Sequence, residues 1–256
     1  MKMNLLSSLF QNLSVGPPVV IRRPFDRILI GYLDTEGCPH IASPLRQIFA
    51  TLTHVQTVQE GKTLSIKPIG PHYVSWINSS KTDAGAHAAS AVNDNIIPSL
   101  LVATQTDAII FVAWNAPHDE AVFRTSGLMQ SGKVFFMDAL RMVRRDCKAD
   151  AGIRDRAKPQ YGLALSNVAE RLGVCVKHQT SSRSKYHEAI FDTFVLKGVL
   201  EALYGEDCFR HKSVQKELEN ARIKKQRRPQ QRQRRGAIAK ATAAALREFD
   251  DKQDSR

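Results

Sequence analysis

Three segments of this sequence are apolar at consecutive positions and short enough to be β-strands. They are RILIGYL at 27–33, AIIFVAW at 108–114 and KVFFM at 133–137. A strand that is apolar on both faces has to be covered on both sides of its sheet. Segments with helical patterning follow the second and third strands, and this alternation predicts an α/β fold with a mixed β-sheet flanked by helices.

Two further segments predict strands, PLRQIFATLTHVQTV at 44–58 and TLSIKPIG at 63–70. Helices are predicted within 82–103, where Pro98 starts a new helix, and after Asn115, which is expected to cap a helix that has Pro117 in its first turn.

Two later helices have predicted ends. The first, in LALSNVAERLGV, is closed by Gly173. The second is a long amphipathic helix in HEAIFDTFVLKGVLEALYG that ends at Gly205. Glycine is favoured just after a helix because it adopts positive φ angles without strain.

The positive charge of the chain is concentrated near its end. The net charge is +12, and residues 222–235 (RIKKQRRPQQRQRR) carry eight Lys and Arg residues and no acidic one. Such an excess suits a polyanionic partner such as nucleic acid. The alternatives are a nuclear localisation signal and a solvated tail.

The composition predicts three parts, which are an N-terminal lead-in at 1–24, an α/β domain at 25–220 and a basic, helical or disordered extension at 221–256. No run of eighteen apolar residues exists, and the polar-interrupted N-terminus does not resemble a signal peptide. The four cysteines are widely spaced, which argues against a zinc site or a disulfide framework. We therefore expect an intracellular protein, cytoplasmic or nuclear.

Three acidic residues follow predicted strands. Asp34 and Glu36 are two residues apart in LDTEG, so strand alternation places them on one face, where a divalent cation would offset their repulsion. The alternative is a pair of ordinary polar residues in a turn. Asp119 falls in the first turn of a predicted helix, where an acidic side chain also complements the helix dipole.

The segment HEAIFDTFVL at 187–196 embeds a histidine and an aspartate in an apolar run. His187 and Asp192 are five residues apart, which on one helix separates them by about 140°. We therefore expect His187 in the preceding loop and Asp192 in an early turn, approaching one pocket from different directions. The alternative is a capping or solvated histidine and an exposed aspartate.

Taken together, DTE, NAPHDEAVF and HEAIFDT resemble the three motifs of the DEDDh branch of the DnaQ-like 3′–5′ exonuclease superfamily, which has an RNase H-like fold. The motifs occur in the family's order, with 85 and 73 residues between the successive aspartates, and the resemblance covers roughly residues 25–205. The chain departs from the family pattern at Gly37 and Cys38 after Glu36, at His118, and at Thr193.

The resemblance implies a two-metal phosphodiester hydrolase that releases nucleoside monophosphates from the 3′ end of single-stranded DNA or RNA. Two Mg²⁺ or Mn²⁺ ions would be held by the four carboxylates, with His187 as general base. The implied metal ligands are Asp34, Glu36, Asp119 and Asp192.

Residues near these motifs are candidates for contact with nucleic acid. Thr35, Asn115, Arg183 and Lys185 belong to or lie near the motifs, and Arg227 and Arg228 in the basic tract are further candidates. No polymerase domain is present in the sequence, so a proofreading role would need a separate polymerase or another nucleic-acid-processing partner. The alternative function is a catalytically weak exonuclease-fold protein that binds or packages nucleic acid through its basic tail.

Overall fold

The computed structural model describes residues 26–37, 45–59, 62–77, 96–128, 133–174 and 188–223. Within them lie five strands and seven α-helices. The strands are β1 Arg27–Gly37, β2 Leu45–Gln59, β3 Lys62–Ile77, β4 Ala108–Ala113 and β5 Val134–Asp138. The helices are α1 Ile97–Ala103, α2 Ala116–Thr125, α3 Ala139–Ala149, α4 Ala151–Ala157, α5 Leu165–Leu172, α6 Ala189–Tyr204 and α7 at 212–223.

The strands form one mixed sheet in the order β3-β2-β1-β4-β5. β2 pairs antiparallel with both β1 and β3, whereas β1, β4 and β5 are mutually parallel. The predicted α/β class with a mixed, helix-flanked sheet is therefore confirmed. Because β1 and β4 run in the same direction, their carboxyl ends lie at the same edge of the sheet.

Helices cover both faces of the sheet, as the doubly apolar strands require. Even-numbered residues of β1, such as Ile28 and Ile30, pack with α3, α5, α6 and α7 in one core. Odd-numbered residues, such as Leu29 and Leu33, pack with α1 and α2 in a second core. The sheet separates the two cores, so even-numbered and odd-numbered residues of β1 pack against different sets of helices.

Gly31 marks an irregularity in the pairing of β1 with β2. The register shifts between Ile30 and Gly31, and a Cβ on Gly31 would collide with the carbonyl oxygen of Thr51 and lie 2.5 Å from the Cα of Leu52. Only glycine permits this close approach of the two backbones. The irregularity falls three residues before the first carboxylate of β1.

Most predicted helix ends are confirmed. Pro98 lies in the first turn of α1, and Gly173 and Gly205 follow α5 and α6 with positive φ angles of 64° and 96°. α6 is buried on one side, whereas its other side, which includes Ile190, Lys197 and Glu201, is half-buried or exposed. The buried side of α6 packs against β1, β2, α4 and α5.

The predicted side-chain cap at Asn115 is wrong. Asn115 precedes α2, but its φ of 75° and ψ of 46° are left-handed and its side chain makes no capping hydrogen bond. A capping side chain normally requires extended backbone at this position. The predicted helical pieces at 82–95, the lead-in at 1–24 and residues 224–256 of the basic tail lie outside the described residues.

α7 is fastened to the domain by a polar network. Arg145 of α3 donates to Glu217 of α7 at 2.9 Å and to its neighbour Asp146 at 2.8 Å. Tyr204, at the end of α6, donates to Asp146 at 3.0 Å. α7 continues past Asn220 to residue 223, which is inside the predicted basic tract. Among the described residues, no helix has the length and apolar composition needed to cross a bilayer.

Candidate metal centre

Three predicted carboxylates converge at the carboxyl end of β1. Asp34, Glu36 and Asp192 each offer an oxygen that lies within 4.8 Å of the oxygens offered by the other two. Strand alternation puts Asp34 and Glu36 on the face of β1 that α6 covers, and Asp192 is in the first turn of α6. The structure therefore brings together three of the four predicted metal ligands, of which Asp34 and Asp192 are more than 150 positions apart in the sequence.

Asp119 reaches the same edge from the other face of the sheet. It lies in the first turn of α2, which packs in the opposite core, and it is 2% exposed. Its Oδ1 accepts hydrogen bonds from the backbone N–H of Thr35 at 3.1 Å and from the Thr35 hydroxyl at 2.8 Å. Asp119 therefore lies beside Asp34, Glu36 and Asp192, but it is not one of the three carboxylates whose oxygens lie within 4.8 Å of one another.

Thr35 links the two sides of this site. Its backbone position lies between Asp34 and Glu36, and its side chain points to the opposite face, where it is 4% exposed. Because the Thr35 hydroxyl is buried and donates to Asp119, it is not available for the predicted contact with nucleic acid. Asn115, by contrast, is exposed at the end of β4.

The carboxylates disfavour one another's ionisation. Burial, followed by repulsion from Asp119, Asp192 and Glu36, raises the pKa of Asp34 to about 9. Burial also raises the pKa of Asp119 to about 7, and the hydrogen bonds from Thr35 oppose this rise. Without a counter-ion, the site therefore holds protons at neutral pH.

The donor set fits a small divalent cation. Carboxylate oxygens are the ligands preferred by Mg²⁺ and Mn²⁺, and those offered by Asp34, Glu36 and Asp192 lie within 4.8 Å of one another. Oδ2 of Asp34 is buried and has no hydrogen-bond partner among the described residues. A buried acceptor of this kind is costly unless a cation or a proton occupies it.

Two contacts that the sequence did not indicate hold α6 against β2. The Gln47 side chain accepts a hydrogen bond from the backbone N–H of Ala189 at 2.9 Å. The Thr193 hydroxyl donates to the carbonyl oxygen of Ala189 at 2.7 Å and lies 3.2 Å from that of Phe49. Thr193 was visible in the sequence only as a departure from the family pattern, and Gln47 would have required the hairpin register.

Several predicted site residues lie outside the described residues. They are His187, Arg183, Lys185, Arg227 and Arg228. Their roles as general base and as nucleic-acid contacts stay predictions. His187 immediately precedes Glu188 in the sequence, and Glu188 is the residue before α6.

Comparison of the sequence with protein-family models and with curated proteins finds no match to either. The fold and the site themselves define an α/β protein with a group of clustered carboxylates at the carboxyl end of its central strand β1.

Proposed function

We propose that the protein is a metal-dependent 3′–5′ exonuclease of the DnaQ-like type, built on an RNase H-like fold, that acts on single-stranded ends of DNA or RNA. The observation that carries this proposal is the grouping of Asp34, Glu36 and Asp192 beside Asp119. The strand arrangement, with one antiparallel hairpin added to three parallel strands, is compatible with that fold.

The four carboxylates would hold two ions, Mg²⁺ or Mn²⁺. When bound, these ions supply acidification of a water and neutralisation of charge on the phosphate oxygens. Asp34, which bears a buried oxygen without a hydrogen-bond partner among the described residues, would be one of the ligands. Asp119, fixed by two hydrogen bonds from Thr35, would approach from the other face of the sheet.

His187 would act as the general base. An imidazole with an ordinary pKa of about 6.5 accepts a proton from water near neutral pH. Arg183 and Lys185, just before it in the sequence, would contact backbone phosphates without reading bases. Arg227 and Arg228 in the basic tract would add salt-dependent affinity for either nucleic acid.

The deciding experiment incubates the protein with matched 3′-labelled and 5′-labelled DNA and RNA oligonucleotides in Mg²⁺, Mn²⁺ or EDTA. We expect stepwise shortening from the 3′ end with either metal and none in EDTA. Asp34→Asn should abolish it, whereas Asp155→Asn, at a side chain that is 77% exposed on α4, should not. Tight binding without shortening would instead support a catalytically inactive nucleic-acid-binding protein.

A further inference from the structure

We infer that Gln47 is a positioning residue, which sets the place of Asp192 relative to Asp34 and Glu36 and thereby the affinity of the site for divalent cations. The inference rests on the metal-binding part of the proposed function. It concerns a neutral side chain on β2, a strand that carries none of the predicted ligands.

The first observation is the pairing of β2 with β1. Gln47 lies directly opposite Glu36, and Phe49 lies directly opposite Asp34. In an antiparallel pair, directly opposed residues have side chains on the same face and Cβ atoms about 5 Å apart. The side chains of Gln47 and Phe49 therefore lie on the same face of the sheet as those of Glu36 and Asp34 and directly beside them.

The second observation is that α6 is fastened at these same two positions. The Ala189 N–H donates to the Gln47 side chain, and the Thr193 hydroxyl lies 3.2 Å from the carbonyl oxygen of Phe49. Asp192 falls within the turn between these anchors. Sliding or rotating the first turn of α6 would break one of the anchors, so they fix Asp192 over Asp34 and Glu36.

The chemistry of Gln47 suits this position. The first N–H groups of a helix lack intrahelical acceptors, and the residue before α6, Glu188, makes no side-chain cap. Gln47 supplies the missing acceptor from another element. Because its amide is neutral, it does so without adding a fourth negative charge to the three-carboxylate group of Asp34, Glu36 and Asp192.

The test measures Mn²⁺ affinity of the full chain by calorimetry for wild type, Gln47→Met and Gln47→Glu. Removing a partner that orients a metal ligand typically weakens metal affinity by about ten- to a hundred-fold, and we expect a loss of at least tenfold in Gln47→Met. Gln47→Glu keeps the acceptor and should bind Mn²⁺ at least as tightly as wild type. Amide exchange in metal-free protein should be faster at Ala189 in Gln47→Met only.

Gln56→Met is the matched control. Gln56 lies on the same strand, is 1% exposed, and donates to Thr63 of β3 at 2.6 Å. Its loss should lower the melting temperature without changing Mn²⁺ affinity. If wild type binds Mn²⁺ and Gln47→Met binds it equally tightly, the positioning role is refuted alone. If wild type binds no Mn²⁺ at all, the proposed function fails together with the inference.

Discussion

Metal-free protein is expected to lose stability as the pH rises, and Asp34→Asn should remove much of that loss. The folded protein keeps a proton on Asp34, whose pKa is raised to about 9, whereas an aspartate in the unfolded chain has released its proton above about pH 4. The folded state therefore binds more protons across this interval, and raising the pH favours unfolding.

The magnitude follows from the size of the interval. One group that is protonated only in the folded state lowers the free energy of unfolding by about 1.4 kcal/mol for each pH unit. Between pH 5 and pH 7, Asp34 alone accounts for roughly 2.7 kcal/mol at most. In a domain of this size, that corresponds to a difference in melting temperature of roughly 5–10 °C.

The assay is thermal unfolding in EDTA at pH 5, 6 and 7, for wild type, Asp34→Asn and the exposed-site control Asp155→Asn. We expect the melting temperature of wild type and of Asp155→Asn to fall more steeply than that of Asp34→Asn. Adding Mn²⁺ at pH 7 should raise the melting temperature of wild type and have little effect on Asp34→Asn. Parallel pH curves for all three proteins would refute the reasoning about the buried carboxyl.

Three further predictions concern other parts of the molecule. Thr35→Val removes the hydroxyl that favours the ionised form of Asp119, so the pKa of Asp119 should rise further above about 7. The pH at which Mn²⁺ begins to bind should therefore move upward. Identical Mn²⁺-binding curves of wild type and Thr35→Val from pH 6 to 9 would contradict this. Gly31→Ala should destabilise the protein by about 1–3 kcal/mol in urea unfolding, because the added methyl collides with the β2 backbone, whereas Gly70→Ala has no atom within 4 Å and should cost little. Deleting residues 224–256, which spares α7, should weaken nucleic-acid binding and flatten its salt dependence while sparing turnover of short oligonucleotides. An affinity that is unchanged at every salt concentration would exclude a contribution of the basic tract to nucleic-acid binding.

The three parallel strands of the sheet were predictable because their burial on both faces leaves apolar runs in the sequence. β1, β4 and β5 lie where RILIGYL, AIIFVAW and KVFFM predicted them. The side shared by Asp34 and Glu36 also follows from strand alternation alone. β3 is longer than predicted, since it reaches Ile77 through a stretch with mixed polarity that shows no clear period.

The rest of the site depends on information that one-dimensional patterns do not contain. Asp119 was predicted beside the other carboxylates, but its approach from the opposite face, through Thr35, follows from the layer to which α2 belongs. The contact of Gln47 with α6 depends on the β1–β2 register, which spacing along the chain does not specify. The left-handed backbone at Asn115 arises where β4 turns into α2. Asparagine tolerates that conformation, but its presence in the sequence does not by itself predict it.

The late position of α6 in the chain has a consequence for biogenesis. β1 leaves the ribosome long before Asp192 is synthesised, so a nascent or truncated chain that ends before α6 carries only three of the four predicted cation ligands and cannot complete the proposed centre. Docking of α6 brings like charges together, which makes this step the one that a divalent ion in a refolding buffer should accelerate. The ion would then assist the docking of α6, the helix that supplies Asp192 as one of its proposed ligands.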